Sequence, residues 1–308
     1  MENSKPRLLV IDGMSFIYRA FHGYPVERFS SPNGEPTNAI HGFFSMLNTL
    51  FENSKAEGIC VALDAPGGSF RTEMVDDYKG GRAQTPDGFR EQVSAIEKLL
   101  KAVGISTLKL EGYEADDIIA AVAKKAAAEG WLVNVCSSDK DLVQLVDNDI
   151  HLVRPLKGVT EIEYLTPPKV VDKFGVHASR YRELAALVGE KSDNLPGVPG
   201  VGPKTAAKWI NSYPTLKALL DDAANMSSAV GKKLSENREI AERNYEVNRL
   251  RDEVPISFVV ETMRLPLKGD EAAFNALCDH YAINSVKRNF SRRLFRAPEP
   301  VVSEDTLF

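Results

Sequence analysis

Short apolar runs recur along the first half of the chain. Leu8–Ile11, Ile59–Leu63 and Trp131–Cys136 are nearly continuous in apolar residues, the pattern of strands that are buried on both faces. Helix-forming stretches separate them, one of which spans about residues 42–57. Alternating strands and helices of this length predict an α/β fold in which a mostly parallel sheet carries helices on both faces.

Each apolar run leads into carboxylates. The first two runs stop at Asp12 and Asp64, and the third continues through two serines to Asp139 and Asp141. In open parallel sheets, ligands bind beyond the carboxyl ends of the strands. The sequence therefore predicts these four side chains along one edge of the sheet.

A separate acidic stretch, Glu111–Asp117, precedes a helix-forming run. Glu114, Asp116 and Asp117 fall in or just before the first helical turn. Capping of backbone N–H groups explains one or two of these carboxylates, each at roughly 0.3–1 kcal/mol, and on this stretch alone it is the favoured interpretation. The preceding loop leaves a strand on its carboxyl side, so we expect this helix to start at the same edge as the four aspartates.

Two further carboxylates three residues apart, at Glu190 and Asp193, complete a set of nine. The set is Asp12, Asp64, Glu114, Asp116, Asp117, Asp139, Asp141, Glu190 and Asp193. So many like charges converge only around cations, and oxygen donors without His or Cys favour Mg²⁺ or Mn²⁺ over Zn²⁺. Two such ions about 4 Å apart serve in-line attack of water on a phosphodiester. Scattered surface carboxylates are the alternative, but they would not follow apolar strands so regularly.

Basic and glycine-rich residues occur in two other stretches. Phe70–Arg82 is rich in glycine, polar and charged residues, so we expect a mobile insertion at the mouth of the site rather than a core element. Its Tyr78, Lys79 and Arg82 are candidates for stacking a base and neutralising a phosphate.

The second stretch, residues 194–208, reads NLPGVPGVGPKTAAK. Its glycines let backbone N–H groups approach a phosphate at a helix start, and Lys204 and Lys208 add positive charge. Pro203 stands where a Walker A loop requires lysine. We therefore interpret the stretch as a helix-hairpin-helix that grips a DNA backbone, and an ordinary Gly/Pro turn is the less favoured alternative.

Composition narrows the class of protein. At 308 residues, 43% apolar and 26% charged, the chain suits a globular protein with room for two domains. No apolar run reaches transmembrane length and no signal peptide is evident, so we expect a cytoplasmic, nucleoid-associated protein. Cys60, Cys136 and Cys278 lie in apolar surroundings and are expected as core residues. A net charge of −5 argues against a globally basic nucleic-acid binder but averages over uneven segments.

Taken together, the motifs resemble the 5′ nuclease (flap endonuclease) family, most of all the 5′→3′ exonuclease domain of bacterial DNA polymerase I, over roughly residues 6–290. The motifs that carry the resemblance are Leu-Val-Ile-Asp12-Gly, Ala-Leu-Asp64, Tyr78-Lys79-Gly-Gly-Arg82, Gly-Tyr-Glu114-Ala-Asp116-Asp117, Ser-Asp139-Lys-Asp141-Leu and Ser-Asp193-Asn-Leu-Pro-Gly.

The resemblance implies a PIN-like catalytic domain at residues 1–175, with a helical arch around 70–95. It also implies a helical DNA-binding domain at 176–296, with a helix-three-turn-helix around 187–212, and a flexible tail at 297–308. The tail ends in Leu307-Phe308, which faintly resembles a sliding-clamp peptide, although a frayed tail is the favoured interpretation.

The resemblance also assigns site residues. Asp12, Asp64, Glu114, Asp116 and Asp139 match the tighter metal site, and Asp141 and Asp193 match the second. Asp117 is expected to hold the ions directly or through water, and Glu190 stands where the family usually carries Asp, which leaves its role open. Tyr78, Lys79 and Arg82 match the catalytic arch, which steers the scissile phosphate. DNA contacts are assigned to Arg19, Arg71, Gly197, Gly200, Gly202, Lys204, Thr205 and Lys208, with K⁺ bound at the hairpin in relatives.

The expected function is a monomeric, two-metal 5′→3′ exonuclease and flap endonuclease of DNA replication and repair. Its substrates are DNA flaps, nicks and gaps with free 5′ ends, and a sliding clamp or DNA polymerase is a further candidate partner. One alternative is a branched-DNA binding module that lost catalysis because of Glu190. Another, a phosphatase with Asp12 as nucleophile, lacks the second aspartate two residues on.

Overall fold

The computed structural model describes residues 5–81, 85–157, 161–226 and 228–294. The strands are β1 (Arg7–Asp12), β2 (Gly58–Ala62), β3 (Ser106–Leu108), β4 (Leu132–Cys136), β5 (Ile150–Lys157), β6 (Glu161–Leu165), β7 (Gly189–Glu190) and β8 (Leu195–Pro196). The helices are α1 (Gly13–Gly23), α2 (Asn38–Ser54), α3 (Phe70–Met74), α4 (Phe89–Val103), α5 (Ala115–Ala128), α6 (Pro167–Phe174), α7 (Tyr181–Val188), α8 (Pro203–Ser212), α9 (Leu216–Asp222), α10 (Ala229–Glu236), α11 (Arg238–Val247), α12 (Glu271–His280) and α13 (Asn284–Leu294). No helix within these ranges is both long and apolar enough to cross a membrane.

The main sheet has the strand order β3-β2-β1-β4-β5-β6. Pairings from β3 through β5 are parallel, and only β6 joins antiparallel. The central strand β1 pairs with β2 on one side and with β4 on the other, so Val10 lies opposite both Cys60 and Val135. The order of the chain reverses at β1, the position at which open α/β sheets form a ligand crevice. The predicted mostly parallel sheet is confirmed.

Apolar residues fill both faces of the sheet. Leu8 and Val10 of β1 pack with Ile118 of α5 in one buried cluster. Leu9 and Ile11 point to the opposite face, into a second cluster. Because successive side chains of a strand alternate between faces, a strand covered on both sides must be apolar at every position. The three cysteines are buried and unbridged in these clusters, as predicted.

The helices that follow the sheet divide between the two faces. Helices α7, α8 and α11 pack beside one another, and their apolar residues extend the cluster around α5. Helices α12 and α13 return to α4 and α2, where Phe274 and Phe290 join the second cluster. Helices that follow the sheet in the sequence therefore contribute to both buried clusters.

The first part of Phe70–Arg82 is not an insertion outside the core, and that expectation is wrong. Phe70 and Arg71 are buried at the start of α3, where the backbone N–H of Arg71 donates to Ser69 Oγ at 3.3 Å. Tyr78 is only 8% exposed. Arg82 lies outside the described residues. Arg71 and Tyr78 make buried hydrogen bonds, whereas Thr72, Glu73, Asp76 and Asp77 of the same stretch are exposed to solvent.

The predicted hairpin lies between α7 and α8. Strands β7 and β8 cross so closely that a Cβ on Gly197 would lie 2.1 Å from the carbonyl oxygen of Val188. A Cβ on Gly189 would lie 2.3 Å from the nitrogen of Gly197. Only glycine allows two backbones to approach this closely. The glycines at these two positions are therefore required by packing.

Candidate active site

A cavity of about 420 Å³ opens at the carboxyl edge of the sheet, where β1, β2 and β4 end. Six carboxylates line it: Asp12, Asp64, Glu114, Asp116, Asp139 and Glu190. The structure thus brings together side chains that are up to 178 positions apart in the sequence, between Asp12 and Glu190. The carboxyl ends of parallel strands lie at one edge of the sheet, so the carboxylates that follow the apolar runs meet there, as predicted.

Asp12 is held at the end of β1 by two donors. Its Oδ1 accepts from the backbone N–H of Ser15, which caps α1, and its Oδ2 accepts from Ser137 Oγ at 2.5 Å. Ser137 also accepts from the backbone N–H of Asp139 at 3.0 Å. One serine therefore ties the end of β1 to the turn after β4.

Glu114 lies immediately before α5 and is held from two sides. Its Oε1 accepts from Ser69 Oγ at 2.7 Å, and its Oε2 accepts from Lys79 Nζ at 2.8 Å. Burial by itself raises the pKa of Glu114, but the charges of Lys79 and Arg71 outweigh that effect and lower the pKa below its usual value. Glu114 is therefore a carboxylate with a cation already bound.

For Asp12, Asp116, Asp139 and Asp141, nearby positive charge does not outweigh the effect of burial on the pKa. Burial, together with neighbouring aspartates, raises the pKa of Asp12 to about 6. The same causes raise the pKa of Asp116, Asp139 and Asp141. The charge of Lys79 opposes this rise at Asp116 and Asp139, so one ammonium group serves several carboxylates. The cavity is short of positive charge.

An all-oxygen donor set that is short of positive charge fits hard divalent cations such as Mg²⁺ or Mn²⁺. As the side chains stand, no three His, Cys, Asp or Glu residues in the described ranges are arranged to hold an ion. Asp12 and Glu114 point to protein donors instead. A cation that binds Asp12 or Glu114 would compete with these donors.

Three residues of the predicted second site lie around the turn that follows α7. Glu190 lines the cavity, and its Oε1 accepts from Ser192 Oγ at 2.7 Å. Asp193 is buried behind it, with Tyr78 Oη donating to its Oδ2 at 3.1 Å. Asp141 does not line the cavity, although its backbone N–H donates to Asp139 Oδ1 at 2.8 Å.

Asp117 does not reach the cavity. Both of its oxygens accept from the Arg71 guanidinium, at 2.8 and 2.9 Å, and the side chains of Asp117 and Arg71 are 0% and 4% exposed. Asp117 also accepts from the backbone N–H groups of Glu114 and Arg251. The capping interpretation thus holds for this carboxylate, whose position is set by a buried ion pair.

Arg71 cannot contact DNA in this arrangement, and its assignment to the DNA contacts is wrong. Besides Asp117, its guanidinium donates to the carbonyl oxygens of Val247 and Arg249 at 3.0 and 2.8 Å. The ring of Tyr78 is buried, so in this arrangement it cannot stack on a base. Both side chains instead connect the segment after β2 to α5 and to the end of α11.

The remaining DNA-contact candidates are accessible in part. Arg19 on α1 donates to Ser138 Oγ at 2.9 Å and lines a second cavity, of about 820 Å³, beside the acidic one. The hairpin candidates lie together at the start of α8. Gly200, Gly202, Lys204 and Lys208 are exposed, whereas Thr205 and Gly197 are half-buried.

Several residues of the site escaped the sequence analysis. Ser69 and Ser137 hold Glu114 and Asp12, and Tyr18 and Lys140 line the cavity. The serine pair before Asp139 and the position of Ser69 before a helix were the available signals. A hydroxyl group that positions a carboxylate leaves no periodic pattern in a sequence.

The fold and the acidic cavity together define a PIN-like nuclease with an appended helical region. The family model of the 5′-3′ exonuclease N-terminal resolvase-like domain matches residues 7–175, and that of the 5′-3′ exonuclease C-terminal SAM fold matches residues 176–271. The chain belongs to the 5′-3′ exonuclease family. The resemblance seen in the motifs is confirmed.

Individual relatives agree with this assignment. DNA polymerase I of Mycobacterium bovis is 41% identical over 264 residues, covering 86% of this chain and 29% of that protein. DNA polymerase I of Mycobacterium leprae is 38% identical over 307 residues, covering 100% of this chain and 34% of that protein. The chain thus spans about a third of the length of these relatives.

A solved structure, the bacteriophage T5 flap endonuclease in complex with DNA and metal ions, superposes with a TM-score of 0.67 at 19% identity. The match covers 93% of this chain and 98% of that chain. At this identity the likeness establishes the fold alone.

Proposed function

We propose that this chain is a structure-specific 5′ nuclease, both 5′→3′ exonuclease and flap endonuclease, that acts on branched, nicked or gapped DNA in replication and repair. The observation that carries the proposal is the row of six carboxylates around one cavity at the strand ends, with Lys79 among them. The T5 flap endonuclease, which is similar in fold, was solved with DNA and metal ions, and this is in keeping with DNA and metal ions as ligands here.

We propose Asp12, Asp64, Glu114, Asp116 and Asp139 as holders of one divalent ion, with Asp141, Glu190 and Asp193 contributing to a second. Two Mg²⁺ or Mn²⁺ ions supply activation of a water nucleophile and stabilisation of the leaving oxygen.

The chain's own residues fix the geometry of the site. Ser137 and Ser69 orient Asp12 and Glu114, and buried Tyr78 holds Asp193. The ammonium of Lys79 neutralises charge on the scissile phosphate, a task that suits a compact point charge on a flexible stem. Arg82 is proposed for the same task.

DNA binding is assigned to the hairpin and to Arg19. Exposed Gly200, Gly202 and Lys204 present backbone and ammonium donors at the start of α8, where a phosphate is favoured. We also propose that K⁺ binds at this turn and that the protein is a monomer. We propose a boundary between two domains after residue 175. A DNA polymerase is a further proposed partner, in keeping with the relatives' names. The sequence that faintly resembles a sliding-clamp peptide lies outside the described ranges, and a frayed tail remains the favoured interpretation there.

The test is single-turnover cleavage of a 5′-labelled double-flap DNA, with Mg²⁺ or with EDTA. We expect a product of defined length only in Mg²⁺, and a rate lower by on the order of 10²-fold or more in Asp139→Asn. Asp172→Asn makes the same chemical change at an exposed position on α6 and should cleave normally.

Tight binding of the flap without product in either condition would replace this proposal with a non-catalytic DNA-binding module. Equal cleavage by Asp139→Asn and the wild type would show that the acidic cavity is not the active site.

A further inference from the structure

Lys79 lies among the carboxylates of the cavity and is bound to one of them. Its Nζ donates to Glu114 Oε2 at 2.8 Å, and the two side chains are 22% and 13% exposed. The cavity that Lys79 lines also contains Asp116 and Asp139. An ion pair this far from bulk solvent is stronger than a surface pair.

The other groups near Glu114 leave the closest contact on Oε2 to Lys79. Tyr78 Oη is 3.5 Å from Oε2, but its shorter hydrogen bond, 3.1 Å, goes to Asp193 Oδ2. Ser69 donates to Oε1, the opposite oxygen. The guanidinium of Arg71 is 3.7 Å from Oε2, but its N–H groups donate to Asp117 and to backbone carbonyl oxygens. The ammonium of Lys79 therefore occupies the position on Oε2 that a divalent cation would need.

The backbone of Lys79 is fixed independently of its side chain. Its φ of 58° is in the left-handed region, which is unfavourable for a non-glycine residue. The N–H of Lys79 donates to the carbonyl oxygen of Asp193 at 3.0 Å, and the neighbouring Tyr78 is buried. The side chain can thus change partners while its attachment point stays at the cavity.

We propose that Lys79 is an internal counter-ion that a divalent cation displaces from Glu114, so that metal binding delivers the ammonium to the scissile phosphate. The inference rests on the proposed nuclease function and adds an order of events to it. Two cations cannot share one position on Oε2, so Lys79 weakens metal binding by the same factor by which the metal weakens the Lys79–Glu114 pair. In this order of events, Lys79 stays bound to Glu114 and away from the DNA phosphate until the metal ion binds.

The direct test is the acetylation rate of Lys79 in the full chain without DNA, followed by peptide mass spectrometry with and without Mg²⁺. Lys140 lines the same cavity and is exposed, so it serves as an internal control for the effect of the ion on nearby amines. We expect Mg²⁺ to accelerate acetylation of Lys79 at least threefold relative to Lys140.

Calorimetric titration with Mg²⁺ gives a second readout that needs no DNA. We expect Lys79→Met to tighten Mg²⁺ binding at least about threefold, an effect of the size that even an exposed ion pair can supply. Lys140→Met removes the same charge from the same cavity without touching Glu114, and we expect a change below about twofold because solvent and salt screen it. Lys79→Arg preserves the pair and should bind Mg²⁺ like the wild type.

Mg²⁺ binding with unchanged acetylation of Lys79 and equal effects of the two methionine variants would overturn the inference and leave the nuclease proposal intact. No Mg²⁺ binding to the wild type would overturn both. Displacement of Lys79 in a protein that does not cut flap DNA would support the counter-ion role and overturn only the nuclease proposal.

Discussion

Asp117→Asn removes the negative charge that faces the buried Arg71 guanidinium, and we expect it to lower the free energy of unfolding by about 3–5 kcal/mol. The substitution preserves the volume of the side chain. It leaves the Arg71 guanidinium, at 4% exposure, without access to water and with only the more distant Glu114 carboxylate, at 3.7 Å, as a counter-charge. Breaking a buried ion pair from one side has this cost because the remaining charge stays desolvated.

The hydrogen bonds set the magnitude. The two oxygens of Asp117 accept four bonds: two from Arg71 and one each from the backbone N–H groups of Glu114 and Arg251. An asparagine presents one oxygen and one NH₂, so half of these donors would face another donor. Each buried donor left unsatisfied costs about 1–3 kcal/mol, which agrees with the estimate for the ion pair.

Urea unfolding in EDTA measures the effect without any contribution from metal binding. Asp279→Asn is the matched control, because Asp279 pairs with Lys287 at 2.7 Å with side chains that are 58% and 33% exposed. We expect the control to change the free energy of unfolding by less than about 1 kcal/mol. In an Arg71→Met background the cost of Asp117→Asn should shrink, since the stranded charge is gone.

The sign of the change separates a positioning role from a metal-ligand role. A ligand that repels its neighbours in the metal-free protein should stabilise it when neutralised. The prediction is refuted if Asp117→Asn leaves the free energy of unfolding in EDTA unchanged or raises it, with an unchanged urea dependence (m value). Asp117 would then not be held in the protein by a stabilising buried ion pair with Arg71.

Four other variants test three further features of the structure. Asp116→Asn should raise the free energy of unfolding in EDTA by roughly 0.5–2 kcal/mol while abolishing flap cleavage, because it relieves repulsion among cavity carboxylates; a destabilised variant would contradict this account. Gly197→Ala should lower the melting temperature and reduce the free energy of unfolding by about 1–3 kcal/mol, because the new Cβ would lie 2.1 Å from the carbonyl oxygen of Val188. At Gly202 a Cβ meets open space, so the control Gly202→Ala should melt like the wild type. Lys204→Ala and Lys208→Ala should each weaken flap binding and reduce the slope of log K against log salt concentration by about 1. Lys217→Ala is the exposed control. If the two variants have the same slope as this control, the hairpin does not contact DNA.

The sequence determined the sheet and the location of the site. A strand that is buried on both faces must be apolar throughout, so Leu8–Ile11 and Trp131–Cys136 were visible without homologues. Asp12 and Asp139 follow such strands, and parallel strands bring their ends to one edge. The same logic placed Glu114 and Asp116 at the cavity through the helix start that carries them.

Tertiary structure decided which charged residues face the cavity. Asp116 and Asp117 are neighbours in the sequence and have the same side chain, yet Asp116 lines the cavity and Asp117 is buried against Arg71. Arg71 and Tyr78 look like surface residues of a polar loop, but the return of the chain at Val247 and Arg249 covers Arg71. The local sequence specifies which side chains are ionisable. The groups that each of them contacts come from distant segments, as when the Arg71 guanidinium donates to the backbone carbonyl oxygen of Arg249, 178 positions away.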